Sequence, residues 1–507
     1  MRRSGTRRAL ARSFILAFLA LASSMAGAAE PARLPATLRK ALGAAGIPGA
    51  ATAVYVQDVA ARTPMLSYNA SRPMNPASAA KLVTTYAALE MLGPSFTWKT
   101  EAYADGPTRG DVLDGDLVLR GTGDPKLTIE NFWLLLRALR ERGLREIRGD
   151  LVLDRGYFAA GPYDPGKFDN EPARAYNVGP DALLVNFNAI RFHFVPDLES
   201  KSLRVIPEPR PAQLELRAPV ALSDAPCGDW RSQIKAQFES NDASARVTFG
   251  GTYPAACGEN TWNVALLSHD SYVWGLFREL WQELGGSFKG GVRGGTVPPG
   301  ARLLYSAESP PLSEVVRDIN KFSNNVMARQ LFLTLSAEAL HVPGGERLSE
   351  RLVRDWALRK GIAADEIALE NGAGLSRSDR ISAMTFGKLL VAAWHSPVMA
   401  ELVASMPVVA ADGTMRRRLH GTDVAGQAHV KTGTLAGVRT LAGYVLARDG
   451  RRFVVVFLIN HPNAAAAEAA QDQLLRWVYD AGRGAARPTA RGKRAAYRSE
   501  DRPQIRE

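Results

Sequence analysis

Hydrophobic and polar positions change their period several times along this chain. At residues 52–56 they alternate, with Thr52, Val54 and Val56 on one face and Ala53 and Tyr55 on the other. β-Branched residues at period two predict a strand, and residues 49–69 read as a strand pair with Thr63-Pro64 in the connection. Asn75-Pro76 breaks the chain. From Ser78 the period turns helical through Leu82, Val83, Tyr86, Ala87, Leu89 and Met91, and Gly93-Pro94 stops it.

Residues 100–300 carry short alternating runs with frequent glycine and proline. The string Gly115-Asp116-Leu117-Val118-Leu119 recurs as Gly149-Asp150-Leu151-Val152-Leu153, each copy followed by turn residues. Residues 131–144, between the copies, read as an amphipathic helix. Two like strands of one sheet joined by a crossover helix are expected, against chance recurrence of a short string. A second β-rich stretch runs from Val185 to Val264.

Helical periodicity returns at Leu312, with Val315, Val316 and Ile319 on one helix and Val326, Met327, Leu331 and Leu333 on the next. Three strand-like runs follow, Gln427–Thr434, Thr440–Ala447 and Arg452–Asn460, with Asp449-Gly450 as a hairpin turn. An alanine-rich helix over 463–481 closes the pattern. The first and last thirds therefore read as one α/β (α+β) unit, residues 29–97 and 300–482. The middle third, 98–299, reads as a β-rich insertion of one or two small domains, with a nested β subdomain at 185–265.

At 507 residues the chain exceeds one ordinary core. A hydrophobic share of 46% with 22% charged residues excludes a disordered chain. The net charge of +12 is uneven: residues 1–28 contribute +5, residues 484–507 contribute +4, and +3 remains for the body. So small a surplus excludes nucleic acid as the expected partner; a cleavable leader and a polar basic tail, 483–507, account for the rest. The leader has early arginines, the apolar run 14–22 and a small-x-small site at Ala26-Gly27-Ala28. This is the pattern of a secretory signal peptide, and the run is too short to span a bilayer. The mature protein is expected in the periplasm with at most peripheral membrane contact. Two cysteines fall in the exported part, Cys227 and Cys257. A bridge would close a loop worth about 3 kcal/mol in the chain-entropy model; two buried thiols are the alternative. Neither cysteine has a second ligand at short spacing, so no metal is expected. No phosphate loop, dinucleotide fingerprint or metalloprotease helix occurs, so no cofactor is expected.

Three short motifs carry chemistry. Ser78-Ala79-Ala80-Lys81 places a hydroxyl and an amine three residues apart on one helix face, as a serine nucleophile needs a base within reach. An N-capping serine with a solvated lysine is the ordinary alternative. Ser323-Asn324-Asn325 sits between two helices, where a hydroxyl and an amide can point the same way; ordinary loop residues are the alternative. Lys431-Thr432-Gly433-Thr434 lies on a strand before a hairpin. There the lysine offers a fixed charge for a carboxylate and the glycine allows close backbone approach; an edge-strand lysine is the alternative. His429 precedes Lys431 by two residues and reads as an ordinary strand histidine.

The order Ser-x-x-Lys, Ser-x-Asn, Lys-Thr-Gly marks the penicillin-recognising serine transferases and hydrolases. Ser78 and Ser323 are 245 residues apart (323 − 78), more than a compact serine β-lactamase accommodates. An insertion of that size, with Gly121-Thr122-Gly123-Asp124-Pro125 after the first helix, resembles the low-molecular-mass class C penicillin-binding proteins. These are D-Ala-D-Ala carboxypeptidases and endopeptidases of peptidase family S13. The strings 176–183 (Tyr176 to Leu183), 371–377 (Asn371 to Arg377) and Asp412-Gly413-Thr414-Met415 are similar to the same family. An aspartate is expected where Asn371 stands, a loop position outside the chemistry.

The resemblance implies a β-lactamase/transpeptidase-like catalytic unit, an antiparallel sheet flanked by helices. It also implies substrates that are peptidoglycan stem peptides ending in D-Ala-D-Ala, and acylation by β-lactam antibiotics. Ser78 would be the nucleophile and Lys81 its base. At pH 7 only about 1 in 2,500 ordinary lysines is neutral, so that role needs a pKa lowered by about 3, at about 4 kcal/mol. Lys431 is the natural second cation. Ser323 would relay the proton and Asn325 would hold the substrate amide. Lys431 and Thr432 would receive the terminal carboxylate, Gly433 and Thr434 would line the substrate beside them, and the N–H groups of Ser78 and Thr434 would form the oxyanion hole. Asp169 is the candidate acid for the amino end of a diaminopimelate side chain; a solvated loop aspartate is the alternative. A β-lactamase-like hydrolase would need a deacylating carboxylate that is not evident. Intact polar positions in all three motifs argue against a non-catalytic cell-wall binding protein.

Overall fold

The computed structural model describes residues 33–159, 161–241 and 244–481; the leader 1–28 and the tail 483–507 lie outside the described residues. An unbroken apolar strand needs cover on both faces, and Arg452–Asn460 has it. Phe453, Val455, Phe457 and Ile459 enter one core, while Val454, Val456 and Leu458 enter another. This strand is the centre of a five-stranded sheet in the order Leu66–Tyr68, Thr52–Asp58, Arg452–Asn460, Val438–Leu446, Ala428–Leu435. All its pairings are antiparallel. Val54 and Val56 face one side and Ala53 and Tyr55 the other, as their alternation requires.

Helices Ala36–Ala44 and Glu468–Asp480 cover one face through Leu38, Leu42, Leu474, Leu475 and Val478. Helices Lys81–Leu92, Leu312–Phe322, Asn325–Leu340, Glu346–Arg359 and Ala383–Trp394 cover the other. The expected helix-flanked antiparallel sheet is the architecture found.

The intervening segment, with Arg302–Glu308 from beyond its expected end at 299, builds a five-stranded sheet in the order Val292–Gly295, Leu151–Asp154, Asp116–Gly121, Lys99–Asp105, Arg302–Glu308. Its two like strings pair in parallel at matching letters, Leu117 with Leu151, Val118 with Val152 and Leu119 with Leu153. The helix between them, Ile129–Glu141, starts two residues earlier than its apolar pattern because Thr128 caps it. A seven-stranded sheet follows between Ile190 and Val264, and Cys227 is bridged to Cys257. Both sheets contribute to one contiguous hydrophobic cluster.

The segment leaves and rejoins the catalytic unit through adjacent strands, because Lys99 pairs with Glu308. Trp98 stands at this joint, buried, with its Nε1–H donating to Thr334 Oγ1 at 3.0 Å and its N–H to Ser309 Oγ at 3.0 Å. Trp98→Ala is expected to lower stability by about 3–5 kcal/mol. Trp98→Phe keeps the ring and loses one side-chain hydrogen bond, about 1 kcal/mol. Denaturant midpoints of the two variants check the difference.

Candidate active site

Ser78 lies in the 3-10 turn Ala77–Ala80 that leads into the helix Lys81–Leu92. The turn is pinned from several sides. Asn75 Oδ1 accepts from Ala77 N–H at 2.8 Å, Asn75 N–H donates to Asn460 Oδ1 at 2.9 Å, and Thr440 Oγ1 donates to Pro76 O at 2.7 Å. Ala77 is held at φ +46°, a left-handed conformation unusual for alanine and of a kind that gathers at functional sites. Two other backbones close on the serine. A Cβ on Gly374 would sit 2.9 Å, and one on Gly433 2.8 Å, from Ser78 N, so both positions need glycine.

Lys81 is fully buried one turn on. Its Nζ lies 3.1 Å from Ser78 Oγ, donates to Asn325 Oδ1 at 2.6 Å and also donates to Ala373 O. Ser323 ends the helix Leu312–Phe322 in a left-handed conformation, φ 56°. Asn324 then caps the next helix through Met327 N–H, and Asn325 begins it. The two side chains of this motif thus address different lysines: Asn325 meets Lys81, and Ser323 Oγ accepts from Lys431 Nζ at 2.9 Å. Lys431, fully buried on the strand Ala428–Leu435, also donates to Thr432 O at 2.7 Å. The hydroxyls of Thr432 and Thr414 are 2.9 Å apart, which places the Asp412–Met415 string beside the strand. Thr434 Oγ1 accepts from Arg439 at 2.7 Å.

Burial pushes the Lys431 ammonium down to about 7. Burial also pushes Lys81 well below the ordinary lysine range, with the charges of Lys431 and Arg329 adding to it and the field of Asp379 acting the other way. A neutral amine has two N–H groups and one lone pair. Ala373 O and Asn325 Oδ1 take the two N–H groups, which directs the lone pair at the hydroxyl of Ser78.

Asn371 matters more than a loop position outside the chemistry. Its Oδ1 accepts from Ala373 N–H at 3.0 Å and its Nδ2 donates to Leu375 O at 3.0 Å. It therefore folds the turn that delivers the Ala373 carbonyl to Lys81. Sequence reading singled out this string without placing it against the lysine. Arg329, buried one helical turn after Asn325, was also missed, although the i,i+4 spacing places both on one helix face.

Asp169 is in the neighbourhood rather than the cluster. Its carboxylate accepts from Tyr176 at 2.6 Å, Asn177 at 2.7 Å and Glu171 N–H at 3.1 Å. Burial opposes its ionisation, but these hydrogen bonds outweigh burial and hold it below its ordinary value. Its loop rests on the 370–378 segment: Lys167 pairs with Glu370 at 3.4 Å, and Arg377 lies 4.9 Å from the Phe168 ring centroid. His429 gives its Nδ1 to Val403 O at 3.2 Å, outside the cluster. Among the described residues no group of three or more His, Cys, Asp or Glu could hold a metal ion, and no helix is long and apolar enough to cross a membrane.

Residues 34–480 match the D-Ala-D-Ala carboxypeptidase 3 (S13) family. A D-alanyl-D-alanine carboxypeptidase of Actinomadura sp. (strain R39) is 30% identical over 421 residues, 79% of this chain and 76% of that protein. The D-alanyl-D-alanine carboxypeptidase DacB of Haemophilus influenzae is 27% identical over 397 residues, 78% of this chain and 82% of that protein. The crystal structure of penicillin binding protein 4 (dacB) from Haemophilus influenzae superposes with a TM-score of 0.71 at 24% identity, covering 84% of this chain and 96% of its own. A family match over nearly the whole described chain, with the fold to go with it, places this protein in the D-Ala-D-Ala carboxypeptidase 3 (S13) family.

Proposed function

We propose that this protein is a serine D-Ala-D-Ala carboxypeptidase and endopeptidase that trims and cuts peptidoglycan stem peptides outside the cytoplasm, in the periplasm, and that β-lactams acylate it. The observation that carries the reading is Lys81 Nζ, buried and 3.1 Å from Ser78 Oγ, with its other two hydrogen bonds committed to fixed acceptors. The β-lactam complex of the Haemophilus influenzae penicillin binding protein 4 supports the last part.

Ser78 Oγ attacks the carbonyl between the two D-alanines as its proton passes to Lys81. The N–H groups of Ser78 and Thr434 receive the oxyanion. The C–N bond breaks, the leaving amine takes a proton through Ser323, and an acyl-enzyme remains for water to hydrolyse. Lys431 and Thr432, beside Gly433, hold the terminal carboxylate. Asn325, which accepts from Lys81 through Oδ1, turns its Nδ2 toward the substrate amide. Asp169, ionised on its loop, reads the amino end of a diaminopimelate side chain. Residues 98–299 form the insertion that carries it.

Two buried ammonium groups close together cannot both keep their protons cheaply. Lys81 feels Arg329 as well as Lys431 and gives up its proton first. The free enzyme is therefore active between two limits. Below the lower one Lys81 is protonated and cannot accept from Ser78. Above the upper one, near 7 in the free enzyme, Lys431 loses the charge that holds the carboxylate. The plot of kcat/KM against pH is expected to be bell-shaped, and Lys431→Gln is expected to move the acid limb to higher pH.

A long-lived fluorescent-penicillin adduct is expected in the wild type and none in Ser78→Ala. Mass spectrometry of muropeptides should show loss of one alanine and cut cross-links. No adduct, or rapid drug turnover without one, overturns the reading. Asn371→Ala slackens the turn under Ala373 and is expected to slow penicillin acylation about 10-fold, a part of the roughly 10²–10⁴-fold a general base supplies, and to lower the thermal midpoint by several degrees because two buried hydrogen bonds are lost.

A further inference from the structure

A cavity of about 1000 Å³ lies within the inserted segment, its lining free of Ser78 and reached by the catalytic unit only at Pro343. That volume is at the upper end for small-molecule sites. Part of the lining is the insertion's loop around Tyr163 and Val178; another part, also from the insertion, carries Arg155, Asp270 and Phe238. The catalytic unit fixes the first part. Arg329 donates to Val178 O at 2.8 Å, and Gln330 exchanges two hydrogen bonds with the Asp181 backbone at 2.9 and 2.7 Å.

The lining has a definite chemistry. Tyr163 is 44% exposed, and its hydroxyl is anchored on Asn177 O at 2.8 Å. Its ring is supported by the Arg329 guanidinium, 5.6 Å from the centroid, and by Gly179, where a Cβ would sit 2.6 Å from Cδ1. A braced aromatic ring with exposed surface suits the C–H face of a pyranose. Arg155 Nη1 is shared between Asp181 at 2.9 Å and Asp270 at 3.0 Å. This fixes planar donors and acceptors where sugar hydroxyls need both. The triad holds two carboxylates to one guanidinium, which disfavours an anionic ligand. Burial keeps the imidazole of His269 toward its neutral form, able to donate and to accept.

We propose that this cavity is a glycan subsite, which takes the neutral N-acetylated disaccharide to which the stem peptide is attached. The proposal rests on the reading of the substrate as peptidoglycan. Four extended peptide residues span about 14 Å, so a sugar at the far end of the stem peptide is carried well away from Ser78.

The test compares a disaccharide-pentapeptide with the same pentapeptide free of sugar. The wild type should cleave the first with a kcat/KM at least tenfold higher, and the ratio should fall to near one in Tyr163→Ala and in Asp270→Ala. Equal cleavage by the wild type, or a ratio preserved in both variants, overturns the proposal. Calorimetric titration with a peptide-free tetrasaccharide of the same sugars tests the cavity independently. Binding by the wild type and none by Tyr163→Ala upholds it even if neither peptide is cleaved, in which case the assigned peptidase activity is what fails. No binding by the wild type counts against the subsite alone.

Discussion

Everything at the candidate site depends on a buried amine that has no carboxylate among its hydrogen-bond partners. Lys81 is enclosed completely, and what surrounds it are a hydroxyl, an amide oxygen and a backbone carbonyl. Those partners suit a neutral amine as well as an ammonium, so the site makes the unprotonated state attainable without making the pocket apolar. Each partner comes from a different part of the chain: the turn of Ser78, the junction at Asn325 and the loop at Ala373. The geometry of one nitrogen therefore constrains three segments that are far apart in sequence.

Much of this was legible in the residues. The alternation of Thr52 to Val56 and the unbroken run Arg452–Asn460 gave the sheet, because period two and two-sided burial leave little freedom. The repeated string gave two like strands of one sheet with a crossover helix; that they are neighbours paired letter for letter came from the structure. Motif order singled out the two lysines and two serines. What the residues could not give was the loop around Ala373, since its contribution is a backbone carbonyl and any residue type has one. Asn371 and Arg329 were hidden for a related reason: their partners are fixed by tertiary contact rather than by local pattern.

The inserted segment is more than a passenger on the catalytic unit. It touches the loop behind Lys81 through Lys167 and Phe168, and it meets the Asn325 helix through Val178 and Asp181. A shift of the insertion would be transmitted to the two elements that hold the partners of Lys81.

The position of Arg452–Asn460 at the centre of the sheet, between a strand from the beginning of the chain and one close to its own, has a consequence for how the protein comes into being. During synthesis the inserted segment is complete long before the catalytic sheet can close, because the middle strand follows it in the chain. The same strand supplies Asn460, which pins the turn in front of Ser78. An unfinished chain therefore lacks the pinned turn at Ser78, and the cluster around that serine forms only once Arg452–Asn460 has joined the sheet.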